Sequence, residues 1–420
     1  MNESRTDLSH EWKKWIIFIS TVIMLSGLLF SRALLSLGLI AFALTCIVHK
    51  NIMQQLKCFF SSKFLWAMSL LFFFPLISGL WSEDISKWLQ VVRIKLPLFL
   101  LPICFAGLTD FTFKDWQKIS FAFIILMTGG VCWSLWQYLQ DTTAIHAEYL
   151  KAHTIETPLG NDHVRFSLLV AVAILTSAFL LATARNLFKK SFTIVMLIII
   201  SVFIIYLHVL AVRTGLLCFY AGVIGFIIWL TWNRQNKIKY FLLIFLLLLL
   251  PVISWFIFPT FKNRISYLKY DLSFIQNANY RQGSNDGNRL LSIKAGWYLQ
   301  NKHPLTGTGF GDLEKETNMW YDAHYPQMAA TDKILPSSEW MIYGAGNGWP
   351  GFGLFTFVML IPFFVKNLRN NITWWLLNIS MVLSYLFDIG LEVQYGVFTH
   401  AFILLWWYNW LNTFPKSSTG

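Results

Sequence analysis

The chain has 420 residues, of which 56% are hydrophobic and only 13% are charged, and its formal net charge is +12. This composition exceeds what a soluble core can bury and excludes a soluble globular protein, because many apolar runs approach the roughly 20 residues of a membrane-spanning helix. The basic residues fall mostly in short segments between these runs, so the positive charge gives no reason to invoke nucleic acid.

Taken in chain order, the apolar runs predict an all-α polytopic membrane protein, a bundle of about twelve transmembrane helices. The predicted spans are residues 15–30, 33–48, 64–81, 91–107, 117–138, 164–183, 192–210, 213–232, 239–258, 340–365, 372–389 and 394–412. Very short turns join the first two spans and the two spans around Arg213, and these are the places where spans are most easily miscounted.

Lysine and arginine alternate between enriched and depleted loops, as the positive-inside rule requires of a membrane protein. With a cytoplasmic N-terminus, the enriched segments all fall inside, and the outside loops keep few cations, chiefly Arg32, Lys87, Lys151 and Arg213. The sequence therefore predicts that both termini are cytoplasmic.

A long, mostly polar segment interrupts the series of spans late in the chain. We expect residues 1–258 to hold nine spans, residues 259–339 to form an extracytoplasmic loop with short helices, and residues 340–420 to hold three spans and a cytoplasmic C-terminus. Long ordered loops frequently carry active sites, so we expect the chemistry in residues 259–339, on a side of the membrane where ATP is absent.

The stretch SNDGNRLLSIKAGWYLQNKHPLTGTGFGD, residues 284–312, predicts a helix inside this loop. Asn285 or Asp286 can cap its start near Asn288, and Pro304 ends it soon after Asn301. The following GTGFGD lacks the strand and helix of a dinucleotide site, so we expect a tight turn with close backbone approach. The expected apolar face of the helix comprises Leu290, Leu291, Ile293 and Trp297.

Two arginines stand out as candidate phosphate ligands. Arg289 falls in the first turn of the predicted helix, where free amides and the helix dipole favour anions and a guanidinium adds two-point donors. A structural ion pair with Asp286 or another loop carboxylate is the alternative. Arg213 lies in the short turn VRTG at the outer ends of two spans, where a charge is costly and usually paired or functional. Simple snorkelling to the interface is its alternative.

A third outer segment, GNDHVRF, places Asp162, His163 and Arg165 at the entry to a span. Asp162 and Arg165 can instead cap the helix and satisfy each other. Three separate outer segments thus offer arginine or histidine on one side of the membrane. The five cysteines lack metal-ligand spacing, so no metal site is predicted.

The span layout, the late outer loop, the VRTG turn, the GNRLLSIKAGWYLQNKHPLTGTGFGD pattern and the EWMIYGAGNGWPGFGLF span together resemble the O-antigen ligase and polymerase superfamily. The resemblance implies an inner-membrane glycosyltransferase that moves a glycan from undecaprenyl diphosphate to a sugar hydroxyl of lipid A core, at the periplasmic face and without cofactor, metal or nucleotide. Arg213 and Arg289 match the family's diphosphate-holding arginines, and we expect Arg281, His163 and Arg165 to assist in substrate binding.

The general base is where the sequence departs from the family. A His-Asn pair commonly precedes the GxxGL span, and its histidine activates the acceptor, whereas Ser337 and Ser338 stand here. Serine has no proton affinity suited to that role near neutral pH. Glu339 is the first substitute, and His324 and His163 are the alternatives from other loops, while Ser337 is kept among the candidate catalytic residues. Capping of the following helix is the structural alternative for this stretch.

Two other functions stay open at this point. An O-antigen polymerase would use the same donor but extend the lipid-linked glycan. A flippase or other transporter of lipid-linked oligosaccharides is expected to show repeated halves and charges along a path through the spans. The predicted spans are largely free of charge apart from Arg93 and Lys95 near the fourth, which favours an enzyme.

Overall fold

The computed structural model describes residues 3–48, 51–151, 153–184, 190–233, 237–275, 280 and 282–414. Within these ranges every regular element is a helix, so the all-α prediction is confirmed. This follows from the apolar sequence, because a backbone in lipid must satisfy its hydrogen bonds within its own segment.

Nineteen α-helices follow one another along the described parts of the chain. The first seven are α1 (Glu3–Phe30), α2 (Arg32–Ile47), α3 (Ile52–Ser61), α4 (Lys63–Ile77), α5 (Ile85–Lys95), α6 (Pro97–Ala106) and α7 (Phe113–Gln140). The next six are α8 (Thr142–Glu148), α9 (Pro158–Asn161), α10 (His163–Ala184), α11 (Lys190–Leu210), α12 (Arg213–Asn233) and α13 (Lys237–Ile257). The last six are α14 (Pro259–Ile275), α15 (Asn285–Lys302), α16 (Leu313–His324), α17 (Glu339–Leu360), α18 (Ile372–Leu386) and α19 (Gln394–Asn412).

Eight segments of the described chain are long and apolar enough to cross a membrane, and two sharply bent helix pairs raise the number to ten. The multi-pass architecture is therefore confirmed, whereas the predicted number of about twelve spans is not. The eight segments are Glu11–Phe30, Lys63–Leu80, Ile85–Ala106, Phe113–Gln140, His163–Thr183, Lys190–Leu210, Arg213–Trp232 and Glu339–Phe364.

The other four predicted spans show why the number differs. Residues 33–48 and 239–258 fall in the two bent pairs, and the second pair turns by 96° where Pro259 starts α14. Residues 372–389 correspond to α18, which has 15 residues. Residues 394–412 correspond to α19, which is rich in tryptophan and packs inside the protein, with Trp406, Trp407 and Trp410 fully buried.

Helix α15 differs in detail from the sequence prediction. It begins at Asn285 instead of near Asn288, and its N-cap is Ser284, whose hydroxyl accepts the Gly287 N–H at 3.1 Å. The predicted apolar face is wrong in part, because Leu291 is buried while Leu290 and Trp297 are 37% and 50% exposed. The buried face instead combines two leucines with small and polar residues that allow close packing on α17; its members are Asn288, Leu291, Ser292, Ala295, Gly296, Leu299 and Gln300.

The glycine-rich segment after α15 packs against a break in α17, where Gly348 has a φ of 68°. The Thr308 N–H donates to the Ala345 carbonyl at 2.8 Å and the Gly309 N–H to that of Gly346 at 3.0 Å. A Cβ on Gly307, whose φ is +66°, would lie 2.4 Å from the Asn347 nitrogen. The predicted tight turn with close backbone approach is confirmed.

Three of the four cations predicted to face outside contact the same end of the helix bundle. Lys87 pairs with Glu314 of α16 at 2.8 Å, and Arg213 pairs with Asp286 of α15. The Arg32 guanidinium carbon lies 5.2 Å from the ring centroid of Tyr395, which is in the first turn of α19. The loop helices and these outer cations therefore share one side, which we call the site end of the bundle.

Candidate active site

Arg213 and Asp286 join a spanning helix to the loop helix α15. Arg213 is the first residue of α12 and follows a turn in which Ala211 has a φ of 52°. Its Nη1 and Nη2 each donate to one oxygen of the Asp286 carboxylate at 2.7 Å. The Arg213 side chain is 44% exposed, so this guanidinium is paired and still accessible.

A carboxylate on α14 accepts hydrogen bonds from the N-terminus of α15. Asp271 is buried and accepts the Ser284 hydroxyl proton on one oxygen and the Asp286 N–H, at 2.6 Å, on the other. Ser284 in turn caps the helix. This arrangement fixes the first turn of α15, which carries Asp286, relative to the bundle. Because the helix begins at Asn285, Arg289 lies just beyond the first turn in which the sequence placed it.

Arg289 bonds to the connector between α18 and α19. Its Nη1 donates to the Phe387 carbonyl at 2.9 Å, while the expected alternative partner, Asp286, is taken by Arg213. A guanidinium carries five donors, and this contact uses one of them. Arg213 therefore contacts α15 from α12, while Arg289 extends from α15 itself to the connector.

Helix α10 brings the third predicted cluster to the same place. His163 lies within charge range of Asp162, Arg264 and Arg289. Arg165 pairs with the Asp162 carboxylate, which also accepts the Arg165 N–H at 3.1 Å, so the predicted capping and mutual pairing of these two residues are confirmed. Arg281, the remaining predicted ligand, lies outside the described residues.

Asp388, which the sequence did not single out, adds a carboxyl group between the arginines. Burial raises the pKa of Asp388, while the charges of Arg165 and Arg289 act in the opposite direction. It lies in the connector of residues 387–393, next to the carbonyl that Arg289 contacts. The site thus contains several arginines and several carboxyl groups, and the arginine charges partly offset those of the carboxyl groups.

The connector of residues 387–393 is anchored at successive positions by buried charges. Arg165 donates to the Ile389 carbonyl, and the Leu391 N–H donates to Glu339 Oε1. Lys95 is fully buried and donates to the Leu391 carbonyl at 3.0 Å and to Glu392 Oε1 at 2.5 Å. These contacts fix the backbone that presents the Phe387 carbonyl to Arg289.

Glu339 lies inside the bundle and not at its open mouth. The side chain is fully buried, and within the described chain its second oxygen, Oε2, has no hydrogen-bond partner. The charges of Lys95, Arg165 and Glu392 surround it. Glu339 is therefore an anchor of the connector, and its second oxygen is unpaired within the described chain.

The two serines before Glu339 also make internal contacts. The Ser337 N–H donates to Ser292 Oγ at 2.9 Å, and the two hydroxyls are 3.0 Å apart, which ties α15 to the start of α17. Ser338 occupies the N-cap position of α17, but its hydroxyl donates to the Tyr385 carbonyl at 3.4 Å and makes no capping bond.

His324 is exposed at the last turn of α16. Its ring stacks on Trp320 at 4.7 Å, and Nδ1 donates to the Trp320 carbonyl at 2.9 Å. This contact leaves Nε2 as the nitrogen that faces outward. No group of three or more metal-ligating side chains occurs among the residues that the structure describes.

Residues 203–356 match the sequence family described as O-antigen ligase. The match covers 154 of the 420 residues, and we call this matched segment the O-antigen ligase domain. The resemblance drawn from the sequence motifs is thereby confirmed, and none of the curated proteins matches the chain. The family domain runs from α11 to α17 and includes Arg213, Arg289, His324, Ser337 and Glu339.

Several residues around the O-antigen ligase domain were missed by sequence reasoning. Asp271 and Arg264 lie within the domain on α14, and Asp388 and Glu392 follow it in the connector. The available signal was a charge next to an apolar segment, as in YLFDIGLEV, where both connector carboxylates occur within five residues. Such a charge near a membrane is usually paired or functional.

Proposed function

We propose that the protein is an O-antigen ligase that transfers a glycan from undecaprenyl diphosphate to a sugar hydroxyl of lipid A core. The observation that carries this proposal is that Arg213 binds Asp286 on the first turn of α15, three residues before Arg289 on the same helix. The O-antigen ligase domain over residues 203–356 supports the same reaction class.

The proposed chemistry is a displacement at the anomeric carbon of the donor glycan. The acceptor hydroxyl oxygen forms the new bond to that carbon, the bond from the carbon to the diphosphate oxygen breaks, and the hydroxyl proton passes to a base. Negative charge grows on the leaving diphosphate, where preorganised donors stabilise the transition state most effectively. Arg213 and Arg289 supply such donors.

Asp286 would compete with a bound diphosphate for the guanidinium of Arg213. Its carboxylate takes the two donors that a diphosphate would need. A ligand with more negative charge and more oxygens displaces a single carboxylate favourably, because charge-assisted two-point bonds are the strong ones. We infer that donor binding opens this pair, with Arg281, His163 and Arg165 assisting.

We propose Glu339 as the general base, because its free Oε2 is an atom that can take the acceptor proton. His324 and His163 stay the alternatives for this role. Base assistance typically contributes about 10²- to 10⁴-fold, so the arginines carry the larger share of the proposed catalysis. No metal, nucleotide or other cofactor enters the proposed reaction.

The proposed topology places the site end at the periplasmic face of the bacterial inner membrane, with both termini in the cytoplasm. In this arrangement residues 259–339 form the catalytic loop between two membrane portions, residues 1–258 and 340–420. The contacts of Lys87, Arg32 and Arg213 at one end of the bundle support it, because these are the sparse cations expected outside.

The test is glycan attachment in cells that carry Arg289→Ala. We expect the variant to reach the membrane at the normal level and to attach no glycan to lipid A core, whereas Lys294→Ala, an exposed cation on the same helix, keeps attachment. Wild-type attachment in Arg289→Ala would refute the proposed site.

Deletion of the gene separates ligase from polymerase. A missing ligase leaves long glycan chains on the carrier lipid, while a missing polymerase leaves single repeats. Purified protein in liposomes, given lipid-linked glycan and acceptor without an energy source, yields a covalent product only if it is an enzyme. Movement of lipid-linked glycan without product would instead indicate a transporter.

A further inference from the structure

Helix α15 and the turn after it extend alongside the beginning of α17. The two helices run in the same direction, because Ser292 contacts Ser337, Gly296 faces Met341 and Gln300 faces Gly344. At the lower end, the Trp349 N–H donates to the Pro304 carbonyl at 2.8 Å. The turn at residues 303–309 therefore lies level with the break in α17.

That break lies well below the site end of the membrane spans. Asn347 Nδ2 donates to the Phe74 carbonyl at 3.3 Å, inside the span Lys63–Leu80. Phe74 precedes the end of this span by six residues, which corresponds to about 9 Å of helix. Since the hydrocarbon core is about 30 Å thick, the turn reaches the level of the leaflet next to the site.

The backbone of the turn suits this depth. Irregular backbone at membrane level is tolerated only where protein groups satisfy it. The N–H groups of Thr308, Gly309 and Trp349 are bonded to carbonyls across the contact between the turn and α17. The polar backbone therefore faces inward, and side chains are left to face the surroundings.

Large apolar side chains cover the outer surface at this level. Leu305 is 78% exposed, Trp297 is 50% exposed and Trp349 is 41% exposed. The rings of Trp297 and Trp349 pack edge to face at 5.5 Å, so the surface of α15 continues that of a spanning helix. Nearby Lys302 pairs with Glu316 of α16 at 2.9 Å.

We propose that Trp297, Leu305 and Trp349 form a lipid-facing facet that contacts the phospholipid acyl chains of the leaflet next to the site. Helix α15 is then a membrane-seated helix, and residues 259–339 are not wholly extramembrane. Aromatic residues at this level match the interfacial preference of tryptophan. The proposal does not depend on the reaction that the protein catalyses.

Photo-crosslinking in vesicles tests this facet. The full chain would carry Leu305→p-benzoylphenylalanine or Trp297→p-benzoylphenylalanine in vesicles of phosphatidylethanolamine and phosphatidylglycerol. Ile198, 57% exposed on the span Lys190–Leu210, is the lipid-contact control, and Lys315, paired with Glu83 at 3.1 Å, is the water-contact control. We expect phospholipid adducts, measured by intact-protein mass spectrometry, at 305, 297 and 198 and not at 315.

The proposal is overturned if 198 gives an adduct while 297 and 305 behave like 315. Leu305 is the more exposed position, so its replacement leaves packing intact and keeps the test valid if the change at 297 disturbs folding. Size-exclusion chromatography identifies folded variants before irradiation.

Discussion

Arg213 and Asp286 are 73 residues apart in the chain and form a two-point ion pair with both N–O distances at 2.7 Å. Arg213 opens a spanning helix, and Asp286 lies in the first turn of the loop helix α15. The pair therefore fixes the loop to the bundle and also marks the position where a planar donor meets a two-oxygen acceptor. A diphosphate presents the same acceptor geometry to Arg213.

Replacement of Arg213 by lysine tests that geometry separately from charge. We expect Arg213→Lys to lower the turnover rate of glycan transfer by about 10²-fold, because lysine keeps the charge but cannot form the planar two-point contact. Transfer by purified protein in liposomes measures the rate. Lys151→Ala, an exposed cation that pairs only with nearby Glu148, is the control. Normal turnover in Arg213→Lys would argue against a diphosphate contact at this residue.

Lys95 is predicted to be a strong stability determinant. Lys95→Met leaves the Glu392 carboxylate buried without its partner, which should lower the free energy of unfolding by about 3–5 kcal/mol. Lys87→Met removes an exposed pair with Glu314 and should cost at most about 1 kcal/mol. Denaturant unfolding in detergent, followed by tryptophan fluorescence, compares them.

The double variant Lys95→Met/Glu392→Met is the internal check on this assignment. Removing both charges abolishes the uncompensated carboxylate, so the double variant should regain part of the stability lost in Lys95→Met. A double variant less stable than the single one would mean that Lys95 acts through packing or its contact with the Leu391 carbonyl.

The sequence predicted the helices well because their signal is local. An apolar run specifies a helix in lipid without reference to the rest of the chain. The buried face of α15 was predicted poorly because it depends on the partner helix: Gly296 and Ser292 are buried for their small size, while the larger Leu290 and Trp297 point outward. A prediction from hydrophobicity alone buries the large apolar residues and exposes the small ones, which is the reverse of what a helix next to a membrane does.

The candidate site was only partly predictable for a related reason. Arg213 and Arg289 could be singled out from their positions and from motif resemblance. Asp271 and the Lys95 contact with Glu392 could not, because each depends on segments far apart in sequence meeting in the bundle. Glu339 is the first residue of α17, close to where the sequence placed the start of this span, but its burial depends on the connector that folds over it.

Gly307 is predicted to be intolerant of any side chain. Its φ of +66° disfavours L-residues, and a Cβ would lie 2.4 Å from the Asn347 nitrogen of α17. That nitrogen cannot move away without breaking the contact between the turn and α17. We expect Gly307→Ala to lower the free energy of unfolding by more than about 2 kcal/mol. Denaturant unfolding with far-UV circular dichroism measures the loss.

Two other glycines separate the causes of that loss. Gly283 has a φ of +76° with open space around its Cβ position, so Gly283→Ala carries the conformational cost of about 1–2 kcal/mol alone. Gly222 lies within α12 with open space around it, and Gly222→Ala should be neutral or slightly stabilising. Equal losses at 307 and 283 would show that the close contact contributes nothing.

Asp388 is predicted to make stability depend on pH. Burial raises its pKa above the unfolded value, so its favourable contribution is present below the unfolded pKa of about 3.9 and is lost as pH rises through the folded pKa. Asp388→Asn should therefore be more stable than wild type at neutral pH, with a difference that shrinks on acidification. Melting temperatures across the pH range measure it.

Asp141 provides a control of opposite sign. The Ala144 N–H bonds to its carboxylate and lowers the pKa of Asp141, so its contribution is present above the unfolded pKa and is lost as pH falls through the folded pKa. Asp141→Ala should be less stable than wild type at neutral pH, and the gap should close in acid. If Asp388→Asn were also less stable than wild type at neutral pH, with a gap that closes in acid, the assignment of Asp388 as a buried carboxyl would be contradicted.

Glu339→Gln separates the anchoring and proton-accepting roles of Glu339. Glutamine keeps an oxygen for the Leu391 N–H but cannot take a proton, so the connector should stay in place while turnover falls by about 10²- to 10⁴-fold with little change in KM. Ser337→Ala and His324→Ala, assayed in the same liposomes, should each lose less than about tenfold. If Glu339→Gln turns over normally and His324→Ala does not, the proton passes to the imidazole on α16, because that ring nitrogen is the exposed acceptor.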